Sequence, residues 1–379
     1  MKWVFWGAAA VIAYTYVGYA GWLRLRVLWR SHPVMRGPNA PPLSIVMVVR
    51  NEERVLEEKL RNLLALDYPA DRCQVIVVSD GSTDRSEEIL RSHGRDPRLQ
   101  VVLNQLSRGK ACGLNDALEL ASGEIVVFTD ARQRVEPGAL RLLAENFADP
   151  EVGCASGELM LGDAAGGEST QGIGIYWRIE KQVRELESAT GSTVGATGAL
   201  YAVRRELLTA VPPETILDDV YLPMQVVRQG KRVIFDGRAR AWDVANLGAG
   251  REFSRKVRTL SGNYQLLRLA PWLLSGRNPI RFEFVSHKLM RLMVPFALAA
   301  LLATSVAMNG PFHRAVLILQ LMFYALSGLA LGGLVKGGLV KGGILARVAD
   351  AAGTFVLLNG AAVVALANFV TGRRAVWTR

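Results

Sequence analysis

The stretch LSIVMVVRNEERVLEEKLRNLLALDYP, residues 43–69, decides the architecture of the middle of the chain. Its first seven residues form a β-branched apolar run of strand length. Beyond Arg50-Asn51-Glu52-Glu53 the apolar spacing becomes helical over 55–69 and stops at Tyr68-Pro69. The alternation then repeats. QVIVVSD (74–80) reads as a strand, and STDRSEEILRSHG (82–94) as a helix capped by Ser82 or Asp84 and stopped by Gly94. LQVVLN (99–104), KACGLNDALELAS (110–122) and EIVVFTD (124–130) continue as strand, helix and strand. This order predicts an α/β domain with a mainly parallel sheet and covering helices. Such sheets bind ligands at the carboxyl ends of their strands, and here three of those ends carry RNEE, DGSTD and DAR.

A dinucleotide-binding enzyme would place G-x-G-x-x-G after the first strand, where this chain has RNEE, and there is no G-x-x-x-x-G-K-[ST] loop. Ser107-Arg108-Gly109-Lys110 offers cations and backbone amides at a helix start. That suits a diphosphate, and it suits a solvated basic turn equally well.

Half of the 379 residues are hydrophobic although 21% are charged, which points to apolar segments set apart from a polar domain. The net charge is +11. Its Lys and Arg flank apolar runs, as in RLRVLWR (24–30), HKLMR (287–291) and GRR (372–374), a placement that fits a membrane surface and argues against nucleic acid. Cys73, Cys112 and Cys154 are far apart, which excludes a disulfide framework or a zinc site. His32, His93, His287 and His313 are scattered and support neither a metal cluster nor a catalytic triad.

Residues 3–23 carry no charge over the length needed to cross a bilayer, with Trp3, Trp6, Tyr19 and Trp22 near the ends. The run is longer than a signal-peptide core and leads into Arg24, Arg26, Arg30 and Arg36, so residues 1–30 read as a retained anchor. The positive-inside rule then puts residue 24 onward in the cytoplasm. Residues 289–372 hold two strong spans, 289–308 and 313–335, joined by NGPFH. A weaker third span, 348–370, contains Asp350 and Asn359. The repeat GGLVKGGLVKGG (332–343) reads as a basic cytoplasmic loop. Three crossings would put GRRAVWTR outside, against the charge rule, so two and three spans both stay open.

Four carboxylates stand out: Asp80, Asp130, Asp218 and Asp219. Singly, each has an ordinary reading as a helix cap, a strand end or a helix-start dipole pair. In FTDARQR (128–134), Asp130 ends a strand and Arg132 stands where an Asp-x-Asp metal clamp would have its second acid. A clamp with one ligand replaced and a charged turn fit that stretch alike.

The segment at 43–69, VIVVSDGSTDRS (75–86), RGKACGLNDAL (108–118), FTDAR (128–132), GATGALYAVRREL (195–207) and LDDVYLPMQVVRQG (217–230) together resemble the inverting family 2 glycosyltransferases, in that order, over about residues 42–265. The flanking spans resemble the membrane-integrated branch with the cellulose, chitin and hyaluronan synthases. The resemblance implies a GT-A fold, a Rossmann-like and mainly parallel sheet, for a cytoplasmic domain over 40–265. It implies that Asn51, Glu52 and Asp80 hold the donor nucleotide and that Lys110 lies near its diphosphate. Asp130 would hold Mg2+ or Mn2+ on that diphosphate, since hard cations take oxygen ligands. Asp219 would be the general base for the acceptor hydroxyl. Asp218, Gly198, Ala199 and Tyr201 would line the acceptor side.

Two departures from the family pattern matter. Arg132 replaces the second acid and could instead contact the diphosphate. The processive synthases' Gln-x-x-Arg-Trp appears as Arg255-Lys256-Val257-Arg258-Thr259, so the Trp that stacks on the acceptor is missing. Arg255 and Arg258 read as diphosphate ligands or as part of a basic interfacial helix. Residues 266–288 read as an amphipathic segment on the cytoplasmic membrane face. The expectation is therefore a multi-pass glycosyltransferase of the bacterial inner membrane, making surface polysaccharide. It would pass a hexose from a nucleotide sugar, a UDP-sugar, to a lipid-linked or growing polysaccharide acceptor. A processive synthase and a non-catalytic sugar-nucleotide-binding subunit are the alternatives.

Overall fold

A computed structural model describes residues 1–163, 167–168, 171–243, 249–332 and 344–372. The repeat at 333–343 and the basic end at 373–379 lie outside the described residues. The strands are β1 Leu43–Val49, β2 Cys73–Asp80, β3 Leu99–Asn104, β4 Ile125–Thr129, β5 Arg134–Val135, β6 Val152–Asp163, β7 Gly167–Glu168, β8 Leu200–Arg204 and β9 Arg232–Asp243. They form one sheet in the order β3-β2-β1-β4-β8-β6-β9-β5, with β7 pairing β6 off that path. The first four are mutually parallel. β8 runs antiparallel to both β4 and β6, and β9 is parallel to β6.

β1 is buried along its whole length because both faces are covered. Ile45, Met47 and Val49 pack with Leu56, Leu60 and Leu63 of the Glu53–Leu64 helix. Val46 and Val48 pack with Ala111, Leu114 and Ala117 of the Lys110–Leu120 helix on the other face. That is the period-two alternation of a strand, with an apolar layer on each side. The chain leaves β1 toward β2 on one side and reaches β4 on the other, which opens a crevice at the carboxyl end of β1. Because β8 runs antiparallel to β4, with Thr129 opposite Leu200, its lead-in residues Gly198 and Ala199 arrive at that same end.

Among the described residues four helices are long and apolar enough to cross a membrane: Lys2–Trp29, Arg281–Ala307, Pro311–Leu331 and Val348–Val370. The third C-terminal segment is thus a full-length apolar helix like the other two. The expected break at residue 265 falls inside the Ala249–Leu269 helix. Beyond it, Leu266, Leu273, Ile280 and Phe284 are buried in the same apolar cluster as Val46 and Val48. Residues 266–284 therefore close the domain, leaving Leu274 and Phe282 outward. Tyr264 of the Ala249–Leu269 helix stacks on Phe369, which ties the domain to the last apolar helix.

Candidate active site

The crevice is built by loops tied to one another through hydrogen bonds. Asp80 is fully buried, and its carboxylate accepts from the Ser107 hydroxyl at 2.8 Å and from the Arg108 and Gly109 amides at 2.7 and 2.9 Å. It thereby holds the SRGK loop that starts the next helix. Gly81 must be glycine here: its φ is +62°, and a Cβ would lie 2.5 Å from the Ser107 amide. Asn51 also has positive φ, tolerable for an asparagine. Its side-chain oxygen accepts the Thr83 amide at 2.8 Å and joins the turn after β1 to the turn after β2. Asp84, one of the two expected caps, takes the Ser86 amide at 2.9 Å.

FTDARQR closes the crevice from the other side. The buried Lys59 ammonium donates to the Thr129 hydroxyl at 2.9 Å and to the Gln133 carbonyl at 2.6 Å, clamping both ends of the turn. Burial pulls Lys59 down to about 7, with Asp130 opposing the shift. Arg132 swings over the loop after β1 and forks onto Glu52 at 3.0 and 3.1 Å. The residue standing in for the second acid is thus an ion-pair partner of Glu52.

Lys110 lies between carboxylates from two elements, 3.0 Å from Asp130 and 3.2 Å from Asp218. Burial would lower the Lys110 ammonium, but Asp130 and Asp218 more than offset it and hold it charged. Asp218 and Asp219 open the Asp218–Arg228 helix, whose N-terminal dipole favours carboxylates. The Asp219 carboxylate makes no hydrogen bond or ion pair among the described residues. A Cβ on Gly198 would come within 3.1 Å of its Oδ2, so any other residue there would crowd the carboxylate. Burial, then the adjacent Asp218 carboxylate, push the Asp219 carboxyl up to about 6, against the pull of Lys110 and Lys288.

A cavity of about 500 Å³ starts at Lys110, Asp130, Asp218 and Asp219, includes Gly198 and Ala199, and runs on between the apolar helices. Arg255 and Arg258 also line it, and Arg255 lies 3.9 Å from Asp243. Tyr201 does not line it. As a β8 residue it is fully buried with its ring stacked on Phe128 at 4.6 Å, and its hydroxyl has no hydrogen-bond partner among the described residues. Asp80 likewise supports the wall from behind.

Among the described residues no three His, Cys, Asp or Glu side chains gather into a metal cage. A divalent ion here would have Asp130 as its carboxylate and would need its other ligands from the substrate and from water. Asp130 fits that mode, with a side chain 41% exposed and Lys110 on Oδ1 alone, and Mg2+ habitually keeps several waters.

Sequence reading missed the far wall of the cavity, where Glu180, Arg184, His287, Lys288 and Arg291 meet. Lys288 and Arg291 sit in HKLMR, which reads as an ordinary membrane flank. No local pattern distinguishes the two roles.

Residues 44–211 match the family model Glycosyl transferase family 2. The β-monoglucosyldiacylglycerol synthase of Synechocystis is 31% identical over 192 residues, which is 49% of this chain and 40% of that protein. The poly-β-1,6-N-acetyl-D-glucosamine synthase of Staphylococcus epidermidis is 21% identical over 273 residues, 71% of this chain and 64% of that one. This chain thus spans roughly half the length of these curated relatives. Among solved structures, the mannosyltransferase PcManGT from Pyrobaculum calidifontis, in complex with GDP-Man and Mn2+, superposes with a TM-score of 0.72 at 24% identity. That likeness covers 98% of this chain and 99% of the other, so the apolar helices share the fold as well as the domain.

Proposed function

We propose that this protein, whose residues 44–211 match the family model Glycosyl transferase family 2, is an inverting glycosyltransferase that moves a hexose from a nucleoside-diphosphate sugar, a UDP-sugar, onto an acceptor presented from the membrane. The supporting observation is the convergence of Lys110, Asp130, Asp218 and Asp219 at the mouth of a cavity that continues between apolar helices. Relatives named as glycolipid and polysaccharide synthases support the acceptor class. The complex of the structural neighbour with GDP-Man and Mn2+ supports a diphosphate donor and a divalent ion.

The donor nucleotide lies over the loops carrying Asn51 and Glu52, with Asp80 holding the loop that presents Lys110. Arg132, Arg255 and Arg258 face the diphosphate. Mg2+ or Mn2+ at Asp130, when bound, neutralises charge on that leaving group. Asp219 takes the proton of the acceptor hydroxyl, whose oxygen attacks the anomeric carbon as the bond to the diphosphate breaks. One base on the face opposite the leaving group gives inversion. Asp219 suits this role because its carboxylate is unengaged and its pKa is raised toward neutrality. The domain side faces the cytoplasm, where nucleotide sugars are made, and the membrane is the bacterial inner membrane.

The test is nucleotide release from UDP-sugars by the full chain in membranes, with and without EDTA. Release that requires the metal, and falls about 10²- to 10⁴-fold in Asp219→Asn, supports the reading. Release at the wild-type rate in that variant removes Asp219 as the base.

A further inference from the structure

The Asp218–Arg228 helix opens on two carboxylates but has no side-chain cap. Its N-cap residue is Leu217, which offers no oxygen to the first-turn amides. A helix start of that kind frays unless something outside the helix holds it. Yet this start carries Asp219, and misplacing a reacting group by about 1 Å can cost on the order of 10²-fold in rate.

The Ala249–Leu269 helix does the holding. The Gln265 amide forks onto the chain just ahead of the carboxylates. Its oxygen accepts the Ile216 amide at 2.9 Å, and its nitrogen donates to the Glu214 carbonyl at 2.6 Å. About one turn earlier, Gly262 lies against Leu217 itself. A Cβ there would come 2.5 Å from Leu217 Cγ and 3.2 Å from Ile216 Cγ2, and Leu217 is buried, with little room to give. From the opposite side the Ala196 amide donates to the Asp219 carbonyl at 2.7 Å. The backbone around Asp219 is thus fixed on both flanks, while its carboxylate stays unengaged among the described residues. The same helix brings Arg255 and Arg258 to the cavity, about two to three turns before Gln265. A further link, Arg268 to Glu214 at 3.0 Å, is 64% and 50% exposed and adds little.

We propose that Gln265 and Gly262 are positioning residues of the reaction, through which the Ala249–Leu269 helix sets where Asp219 stands. This rests on the reading of Asp219 as the base. Neither residue lines the cavity, so their contribution runs through the carboxylate they place.

Nucleotide release from UDP-glucose and UDP-N-acetylglucosamine is measured with the full chain in membranes, and the melting midpoint of each variant in detergent. Gln265→Leu should lower kcat about tenfold or more while the donor KM moves less than about twofold. Gly262→Ala leaves both hydrogen-bonding groups of Gln265 in place and should do the same by displacing Leu217. Arg268→Ala should match wild type. The deciding readout is the combination with Asp219→Asn. Adding Gln265→Leu to that variant should lower its residual rate by less than about twofold, because the group being placed is gone. Wild-type kcat in both Gln265→Leu and Gly262→Ala, or a loss in Arg268→Ala equal to that in Gln265→Leu, would overturn the proposal. So would the full loss persisting in the Asp219→Asn background, which would mark the contact as support of the fold alone. The two ideas fail separately. Release at the wild-type rate in Asp219→Asn removes the base, whereas release lost in Asp219→Asn but intact in Gln265→Leu removes only the positioning.

Discussion

The two ends of the cavity are built on opposite principles. At the end proposed for the donor the supporting polar groups are already engaged. Asp80 accepts three hydrogen bonds, Glu52 is forked by Arg132, and Lys59 clamps the turn below Asp130. At the end proposed for the acceptor, Asp219 and Lys288 have no hydrogen-bonded partner among the described residues. The difference has a physical logic. A diphosphate with fixed geometry rewards a rigid cradle, since preorganised dipoles need no rearrangement when charge develops. A general base must keep an open valence for the proton it takes.

Substitutions can break or sharpen that contrast. The largest effect falls on Lys110, the cation between the two ends. Lys110→Met leaves Asp130 and Asp218 facing each other without a counter-ion and should lower stability by about 3 kcal/mol, read as the melting midpoint in detergent. An unchanged midpoint would mean that the pair is solvated and the two ends are uncoupled. Lys59→Met comes next. It strips the Gln133 carbonyl of a buried donor and should cost about 1–3 kcal/mol. A loss of activity at constant stability would instead show that Lys59 acts on the chemistry through Asp130. Arg132→Ala removes a pair whose arginine is 55% exposed, so stability should move by less than about 1 kcal/mol. The donor KM should rise several-fold with kcat little changed. Wild-type kinetics would return Arg132 to a surface turn. Smallest is Tyr201→Phe, which removes a buried hydroxyl without a partner and should change stability by no more than about 0.5 kcal/mol.

The same contrast governs what the sequence reveals. The parallel half is legible because each strand is a short, continuous apolar run: LSIVMVV and LQVVLN coincide with β1 and β3 residue for residue. β6 and β9 are harder to see. VGCASGELMLGD is rich in small residues, and RVIFDGRARAWD interleaves Asp and Arg with its apolar positions, so neither shows a plain strand period. The donor end is written in local motifs, and Asp130, Lys110 and the Asp218-Asp219 pair do meet. The roles inside those motifs are less legible. Whether Asp80 faces the cleft or braces a loop, and whether Tyr201 lines it or fills the core, depends on side-chain direction in three dimensions. The acceptor end is the least readable. Arg184, Lys288 and the last helix come together from segments far apart in the chain, and each looks locally like an amphipathic helix or a membrane flank.

The central claim is that Asp219 is the base of this site, and the pH dependence of single-turnover transfer tests it most directly. A base must be deprotonated to accept a proton, and burial with Asp218 alongside raises Asp219 to about 6. The wild-type rate should therefore fall as pH drops through about 6 and level off above it, and the residual rate of Asp219→Asn should lack that limb. The same limb persisting in Asp219→Asn would contradict the account.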